Sequence, residues 1–221
     1  MFKVVEKFVS INGEGLRSGQ LAVFIRFAGC NLDCSFCDTK WANQTHVDFE
    51  LMTKEDIYEY IKSTGVKNVT LTGGEPLIQE GILELIELLS NDEYLSIEIE
   101  TNGSIDLKVF SKMQNNRPIF TMDYKLISSD MEYKMLVDNF KYLNKNDVVK
   151  FVIGDIEDLN RAKYLIDKYK LTDKTNVYFS PVFGEADMND IVEFMKKNNM
   201  NEITFQIQLH KVIWNPNKRG V

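Results

Sequence analysis

Segments with the pattern of β-strands alternate with segments with the pattern of α-helices along most of this 221-residue chain. The stretch 21–28 is rich in β-branched and aromatic residues, which is typical of a buried strand. The stretch 53–64 opens with a capping-box pattern, repeats apolar residues four apart and is followed by a glycine, which is typical of an α-helix. The same alternation predicts strands at 68–72, 95–100, 119–123, 148–153, 176–180 and 203–209, and helices at 78–89, 107–113, 131–140, 156–169 and 188–197.

This alternation favours parallel strands that are joined by right-handed crossovers. Six such units fit between residues 21 and 197, with an extra N-terminal strand at 4–10. A closed eight-unit barrel typically needs about 250 residues. We therefore predict an α/β fold, an open, partial TIM-like barrel of about six parallel βα units, in a single domain that spans residues 1–221.

The charge balance and hydropathy of the chain exclude some classes of partner. The net charge is −7, from 26 Lys and Arg and 33 Asp and Glu residues. Broad nucleic-acid binding needs a basic footprint, so no nucleic-acid partner is expected. No apolar run approaches the roughly 18 residues of a membrane span, and the N-terminus lacks the pattern of a signal peptide. These features predict a cytoplasmic protein without a membrane partner.

Polar motifs follow the predicted strands at the point where each strand ends. Parallel barrels place their chemistry at the carboxyl ends of their strands, so one convergent site is expected there. The motifs are residues 30–39, 72–76, 100–103, 123–125, 154–155 and 180–183.

The three cysteines of the chain, Cys30, Cys34 and Cys37, all lie in the first of these motifs. An odd, tightly clustered set is a poor disulfide framework, and clustered thiols in a reducing compartment more often bind metal. Three thiolates would hold a 4Fe–4S cluster with one iron left open to a small molecule. The alternatives are a zinc site that His46 completes and a Cys-x2-Cys redox pair.

The Cys-x3-Cys-x2-Cys spacing with Phe36 before the last cysteine, together with Gly73-Gly74-Glu75-Pro76, resembles the signature of the radical S-adenosylmethionine superfamily. The resemblance implies a 4Fe–4S cluster on the cysteines and S-adenosylmethionine on its open iron, where reductive cleavage yields a 5′-deoxyadenosyl radical. Glycines permit close approach of a ligand to the backbone, and Glu75 can accept a hydrogen bond from the ligand's amino group. By the residues alone, a plain turn at 73–74 and a simple Pro loop at 180–183 remain open. The residues expected to bind S-adenosylmethionine are Phe36, Cys37, Asp38, Gly74, Glu75, Asp123, Tyr124, Lys125, Ser180, Pro181, Val182 and Phe183.

A narrower resemblance rests on the segment 8–15 (FVSINGEG), Arg26, Cys37-Asp38-Thr39 and 208–211 (QLHK). This set resembles the 7-carboxy-7-deazaguanine synthase family, with Asn12 where the family often has Gln. The resemblance implies a lyase that converts 6-carboxy-5,6,7,8-tetrahydropterin to 7-carboxy-7-deazaguanine with loss of ammonia, in 7-deazapurine and queuosine biosynthesis. It also implies a homodimer and an electron donor such as a flavodoxin or ferredoxin.

A pterin substrate suits several of these side chains. Glu14 can accept hydrogen bonds from the donor edge of the pterin, and Arg26 offers a planar fork to the substrate's carboxylate. The family's metal-binding threonine matches Thr39, whose hydroxyl suits Mg²⁺ as its one direct protein ligand. The full expected substrate set is Ile11, Asn12, Gly13, Glu14, Arg26, Thr72 and His210.

Purely structural roles for three of these residues also stay open from the sequence. Arg26 is equally suited to pairing with a nearby acid, Thr39 to satisfying a loop backbone group and His210 to an exposed tail. Three rival functions also stay open: a glycyl-radical activating enzyme, a non-catalytic iron–sulfur or zinc protein, and a radical enzyme for another small heterocycle.

Overall fold

The computed structural model describes residues 1–113 and 116–221. Its strands form one nine-stranded sheet in the order β3-β1-β2-β4-β5-β6-β7-β8-β9. From β2 to β9 each strand is parallel to its neighbour, whereas β1 is antiparallel to both β2 and β3. The sheet does not close, and the predicted open barrel with an extra N-terminal strand is confirmed. The strands are β1 (Phe2–Ile11), β2 (Leu21–Phe27), β3 (Glu50–Met52), β4 (Asn68–Gly73), β5 (Ser96–Thr101), β6 (Ile119–Tyr124), β7 (Val148–Ile153), β8 (Asn176–Pro181) and β9 (Ile203–Phe205).

Helices cover the outer face of the sheet, and local signals set their ends. The first helix has the predicted capping box of Thr53 and Asp56, and it ends at Gly65 in the left-handed conformation. Asp155 caps the longest helix by accepting from two backbone N–H groups. Among the described residues, every helix is too short or too polar to span a lipid bilayer. The helices are α1 (Lys54–Thr64), α2 (Ile82–Ser90), α3 (Ile156–Tyr169), α4 (Leu171–Lys174), α5 (Met188–Lys197) and α6 (Leu209–Ile213).

The two faces of the sheet differ in character. Side chains alternate between faces along a strand. One set packs as the apolar core beneath the helices and includes Phe120, Phe151 and Phe179, all fully buried. The other set lines the inside of the partial barrel and is polar. We call this inner space the lumen, and its strand residues are Thr70, Thr72, Glu98, Glu100, Thr121, Asp123, Lys150 and Ser180.

The prediction of one α-helix at 131–140 is wrong. The chain there forms two short 3₁₀ helices, Glu132–Lys134 and Val137–Lys141. The side chain of Asn139 is fully used by the loop after β5: it donates to the carbonyls of Gly103 and Ile105 and accepts from the N–H of Leu107. These tertiary bonds outweigh the weak local helical pattern.

Other boundaries differ from the predictions by a few residues. The helix predicted at 78–89 begins at Ile82, because Gly81 before it adopts a left-handed conformation. Only a 3₁₀ turn, Phe110–Lys112, occupies the predicted helix at 107–113. The last strand ends at Phe205 instead of residue 209, and α6 follows it. The short elements β3, α4 and α6 were not predicted.

Candidate active site

Glu14 reaches into the lumen from the connection between β1 and β2. Its Oε1 accepts from the hydroxyl of Ser180 at 2.5 Å, and its Oε2 accepts from Lys150 Nζ at 3.1 Å and from Gln208 at 3.0 Å. Burial opposes ionisation of this carboxyl, but the charge of Lys150 and the three hydrogen bonds outweigh it and lower its pKa. Glu14 is therefore a fixed, charged acceptor.

Lys150 joins Glu14 to a second acid, Asp123, at the end of β6. The Asp123 Oδ2 atom lies 3.2 Å from Lys150 Nζ and 3.0 Å from Lys125 Nζ. Burial disfavours the charge on Lys150, but Asp123, Glu14 and Glu100 outweigh it and raise its pKa. The other oxygen, Asp123 Oδ1, is buried and has no hydrogen-bond partner in the described residues. Buried acceptors are nearly always satisfied, so Oδ1 is suited to a ligand.

The lumen holds two further buried polar atoms that lack a partner within residues 1–113 and 116–221. Asn12 accepts from the hydroxyl of Thr70 at 2.8 Å, which leaves its Nδ2 donor unused. Glu98 accepts from Thr121 at 2.6 Å through Oε1, and its Oε2 is unpartnered. Together with Asp123 Oδ1, these atoms give the lumen one unused donor and two unused acceptors.

The three cysteines lie on the loop 28–39, which we call the cysteine loop, at the carboxyl end of β2. The thiols are not disulfide-bonded. The Sγ atom of Cys30 accepts from the N–H of Leu32 at 3.4 Å and from the side chain of Asn102 at 3.6 Å. Burial raises the pKa of all three thiols, to about 11 for Cys34. A metal that binds here must therefore displace protons.

The chemistry of this donor set fits an iron–sulfur cluster. Three soft sulfur donors on one loop, with N–H groups directed at one of the sulfur atoms, are the ligands such clusters use. In the described part of the chain, no three His, Cys, Asp or Glu side chains are already arranged around a metal position. The three thiols are therefore not yet gathered around one metal position in those residues, with or without His46. The fit to a cluster rests on the sulfur donors and their hydrogen bonds.

The Gly-Gly-Glu segment after β4 lies directly against the cysteine loop. The N–H of Glu75 donates to the carbonyl of Gly29 at 2.9 Å, and the N–H of Gly74 donates to that of Phe27 at 3.1 Å. A Cβ on Gly74 would overlap the Gly29 carbonyl, and Gly73 has a φ of +136°. Only glycine therefore allows this close backbone contact.

The Glu75 side chain is fully buried and already bonded to protein. Its oxygens accept from the N–H of Leu77, the hydroxyl of Thr101 and the N–H of Asn102, at 3.0, 2.8 and 2.7 Å. Burial raises its pKa to about 7 in spite of these bonds. Glu75 thus holds the loop after β5 in place, a role that the sequence did not indicate.

Arg26 pairs with a nearby acid, as the structural alternative for this residue stated, but only through one nitrogen. Its Nε donates to Glu6 Oε2 at 3.0 Å, across the β1–β2 pair. Its positive charge also helps to lower the pKa of Asp38 and opposes the rise in the pKa of Glu100. Arg26 pairs in register with Thr72 on β4, whose side chain bonds Glu100 in the lumen, so the Arg26 side chain lies on the lumen face of the sheet.

Thr39 and Asp38 connect the end of the cysteine loop to α6. The Thr39 hydroxyl donates to Asp38 Oδ1 at 2.9 Å, and Lys211 Nζ lies 2.9 Å from Asp38 Oδ2. Burial would raise the pKa of Asp38, but Lys211 and the hydrogen bonds hold it well below its usual range. Lys211 is thus a partly buried partner of the loop instead of a free tail residue.

The chain after β9 closes one side of the lumen. The side chain of Gln206 forms two hydrogen bonds to the backbone of Gly15, and the N–H of Leu209 donates to the carbonyl of Gly13 at 3.1 Å. The imidazole of His210 packs against Gly13 so closely that a Cβ there would overlap it. Burial lowers the pKa of His210. His210 therefore packs against the loop that carries Glu14 instead of lying in an exposed tail.

The remaining predicted residues occupy varied positions. The hydroxyl of Thr72 donates to Glu100 at 2.6 Å, so both side chains face the lumen. The Tyr124 ring lies in the apolar core, 5.5 Å from that of Phe140, so only its backbone borders the site. The ring centroid of Phe36 lies 5.8 Å from Lys125 Nζ, and that of Phe183 lies 5.3 Å from Lys211 Nζ. Ile11 pairs with Leu21 at the end of β1, and Pro181 and Val182 are buried at the end of β8.

The sequence did not indicate Lys150 or Gln206 as site residues, and it indicated Gln208 only as part of the 208–211 motif. One signal for Lys150 was available, because it interrupts the apolar strand VVKFVI. A lysine inside a buried parallel strand needs a charged partner. Gln206 has no such local signal.

Comparison with known proteins agrees with this geometry. A model of the Radical SAM superfamily matches residues 24–138, which is just over half of the chain. The chain is thus a radical S-adenosylmethionine enzyme, a class that uses a 4Fe–4S cluster and S-adenosylmethionine. A curated 7-carboxy-7-deazaguanine synthase from Clostridium acetobutylicum is 62% identical over 220 residues, covering 100% of this chain and 99% of that protein. The chain belongs to the 7-carboxy-7-deazaguanine synthase family, a family of radical lyases.

More distant relatives extend over the same length. A curated synthase of this family from Chlorobaculum tepidum is 32% identical over 221 residues, covering 99% of this chain and 96% of that protein. The crystal structure of QueE from Escherichia coli superposes with a TM-score of 0.74 at 23% identity, covering 94% of this chain and 93% of that one. This structural likeness supports the open-barrel fold.

Proposed function

We propose that this chain converts 6-carboxy-5,6,7,8-tetrahydropterin to 7-carboxy-7-deazaguanine with loss of ammonia, as a step of 7-deazapurine and queuosine biosynthesis. The observation that carries the proposal is the full-length identity of 62% to a curated synthase of that name. The site supports it, because it contains a charged acceptor, Glu14, which is held by Ser180, and a guanidinium, Arg26, which Glu6 engages through Nε.

Two side chains would hold opposite ends of the pterin. Glu14 Oε1 has one protein hydrogen bond and therefore keeps a lone pair for the N–H donors of the pterin. The terminal nitrogens of Arg26 would bind the substrate's carboxylate as a planar fork. The unused Nδ2 donor of Asn12 is suited to a ring acceptor of the substrate, and His210 with Gly13 would form the adjoining wall.

The cofactor residues form a second group along the strand ends. Cys30, Cys34 and Cys37 would hold the cluster, and the Gly-Gly-Glu segment, residues 123–125 and residues 180–183 would bind S-adenosylmethionine. When bound, these cofactors supply the carbon radical that begins the reaction. The chain's own part is to hold charges fixed around the substrate and to exclude water, which strengthens electrostatic interactions in the site. The side chain of Tyr124 is excepted, because it lies in the core.

We also propose that Thr39 binds one Mg²⁺ through its hydroxyl oxygen. The Thr39 hydroxyl donates a hydrogen bond to Asp38 Oδ1, so the lone pairs of its oxygen stay available for a cation. Mg²⁺ takes few protein ligands, so water and oxygens of the substrate would supply its remaining ligands. The ion would orient the reacting ring as a template and Lewis acid.

The magnesium proposal is tested with Thr39→Ala and with Thr45→Ala, an exposed threonine of the following loop, as the matched control. We expect Thr39→Ala to lose turnover and magnesium dependence while the absorbance of the cluster stays unchanged. The control should behave like wild type. Full turnover of the wild-type enzyme after removal of all divalent ions would contradict the proposal.

The proposal extends to the setting of the enzyme. In this proposal the whole chain, residues 1–221, forms one domain, and two copies form a homodimer in the cytoplasm. A flavodoxin or ferredoxin supplies the electron, and neither nucleic acid nor membrane is a partner. These statements rest on the family resemblance and on the net charge of −7.

An anaerobic assay with 6-carboxytetrahydropterin, S-adenosylmethionine and a reductant tests the reaction, with products identified by mass spectrometry. We expect 7-carboxy-7-deazaguanine and ammonia. Formation of 5′-deoxyadenosine without any change in the pterin would indicate a radical enzyme with another substrate. Absence of an iron–sulfur absorbance band after reconstitution would contradict the radical chemistry itself.

A further inference from the structure

Glu6 lies directly opposite Arg26 on the neighbouring antiparallel strand, after an irregularity in β1 between Val4 and Glu6. Its Oε2 accepts from Arg26 Nε at 3.0 Å, and the two side chains are only 13% and 20% exposed. A guanidinium is planar and its N–H directions are fixed. A partner on Nε therefore also sets the direction in which the two terminal nitrogens point.

The other oxygen of Glu6 is occupied from the far end of the chain. Arg219 Nε donates to Glu6 Oε1 at 3.0 Å. The guanidinium of Arg219 lies over the ring of Trp41, with its central carbon 3.4 Å from the ring centroid. Trp41 belongs to the 3₁₀ helix that directly follows Thr39. One carboxylate is thus shared by two guanidinium groups, one on β2 and one near the C-terminus.

This sharing decides how Glu6 can hold Arg26. A carboxylate with both oxygens available engages an arginine in a bidentate pair that uses Nε and one terminal nitrogen. Because Arg219 occupies Oε1, Glu6 meets Arg26 through Oε2 and Nε alone. Without Arg219, Glu6 would be able to take a terminal nitrogen of Arg26 and so remove half of its fork.

We infer that Glu6 and Arg219 are positioning residues that keep both terminal nitrogens of Arg26 available for the carboxylate of the substrate. Glu6 fixes the plane of the Arg26 guanidinium, and Arg219 restricts Glu6 to a single hydrogen bond with it. Trp41 holds Arg219 in place by a cation–π contact. The inference deepens the proposed function and rests on its assignment of Arg26 to the substrate's carboxylate.

The test compares two pterins that differ only in the carboxylate. Dissociation constants of 6-carboxytetrahydropterin and of tetrahydropterin are measured anaerobically on the reconstituted enzyme with S-adenosylmethionine bound. The variants are Arg219→Ala, Arg219→Lys and Lys218→Ala, the last being an exposed neighbour of Arg219 and the matched control.

For Arg219→Ala we expect the carboxylated pterin to bind about three- to tenfold more weakly, the size of an exposed ion pair with a cation–π contact. Binding of tetrahydropterin and of S-adenosylmethionine should not change. Arg219→Lys should restore part of the affinity, because lysine pairs with Glu6 but stacks less well on Trp41. Lys218→Ala should match wild type.

Three outcomes would overturn the inference. Unchanged binding of both pterins by Arg219→Ala would show that the tail does not act on Arg26. Equal weakening of both pterins would indicate general disruption of the site instead. Arg26→Ala separates this failure from that of the proposed function: if it abolishes the preference for the carboxylated pterin while Arg219→Ala does not, only the inference fails. If Arg26→Ala leaves that preference intact, both fail.

Discussion

Replacing Lys150 by methionine tests the electrostatic centre of the lumen. Lys150 is the common partner of Glu14 and Asp123, at 3.1 and 3.2 Å, and its side chain is only 12% exposed. Methionine keeps a long apolar side chain and removes the charge. Loss of one partner of a buried ion pair costs about 3–5 kcal/mol of the free energy of unfolding. Because Lys125 still pairs with Asp123, and Ser180 and Gln208 still bind Glu14, we expect the lower end, about 3 kcal/mol.

The loss should depend on pH in a definite direction. In the wild type the pKa values of Glu14 and Asp123 are both lowered. Each ionised group therefore contributes stability that is present above its unfolded pKa and is lost as the pH falls through its folded pKa. Without Lys150, less positive charge opposes the effect of burial on Glu14 and Asp123, so their pKa values in the folded variant rise. Protonation of these acids at lower pH therefore costs the variant less stability than it costs the wild type. The difference between the two proteins should be largest near pH 7 and should shrink toward about pH 4.

Thermal unfolding of the cluster-loaded protein, followed by circular dichroism under anaerobic conditions, measures the effect. A loss of about 3 kcal/mol lowers the Tm by about 6–12 °C in a chain of this size. Lys163→Met is the control, because Lys163 forms a more exposed ion pair with Asp167 along α3 and should change the Tm by at most about 2 °C. A fall in Tm no larger than that of the control, or one that is the same at pH 7 and pH 5, would refute this reasoning.

Three further changes test the site. Cys34→Ala should abolish the iron–sulfur absorbance and all turnover while the far-ultraviolet circular dichroism stays native, since Cys34 has no disulfide partner; retained turnover would contradict its role as a ligand. Gly74→Ala should weaken S-adenosylmethionine binding by at least about tenfold, because the new Cβ overlaps the carbonyl of Gly29; unchanged affinity in equilibrium binding would contradict this close contact. Arg26→Lys should restore only part of the roughly ten- to hundredfold loss of pterin affinity expected for Arg26→Ala, since lysine lacks the fork; full affinity in the same assay would exclude a bidentate contact.

Most of the fold was predictable because its strongest signals are local. The helix Ile156–Tyr169 was predicted to the residue, because Asp155 caps it and its apolar residues repeat at helical spacing. The prediction failed at 131–140, where Asn139 bonds to a loop more than thirty residues earlier in the chain. Sequence periodicity contains no information about such a partner.

The part of the candidate site that lies at the carboxyl ends of the strands was predictable from the sequence. The cysteine loop, the Gly-Gly-Glu segment and residues 123–125 all lie at the carboxyl ends of parallel strands, and topology alone brings them together. The contacts that pass through the lumen were not predictable. Lys150 meets Glu14 across 136 residues, and Gln208 meets it across 194. These pairings depend on the chain after β9 folding back over the loop between β1 and β2.

The distribution of protons in the lumen suggests why its charges are arranged as they are. Glu14 and Asp123 have lysine partners and lowered pKa values, so they are ionised. Glu98 and Glu100 have no such direct partner, and burial raises the pKa of both, to about 7 for Glu98. The two acids that lysines hold in place are therefore the ones whose negative charge is favoured, whereas burial opposes ionisation of Glu98 and Glu100. A lumen of this kind places its charges before a ligand enters, which is the arrangement that electrostatic catalysis requires. The lumen also contains buried polar atoms without a partner in the described residues, on Asn12, Glu98 and Asp123. Because buried polar atoms are nearly always hydrogen-bonded, these atoms are suited to a polar ligand.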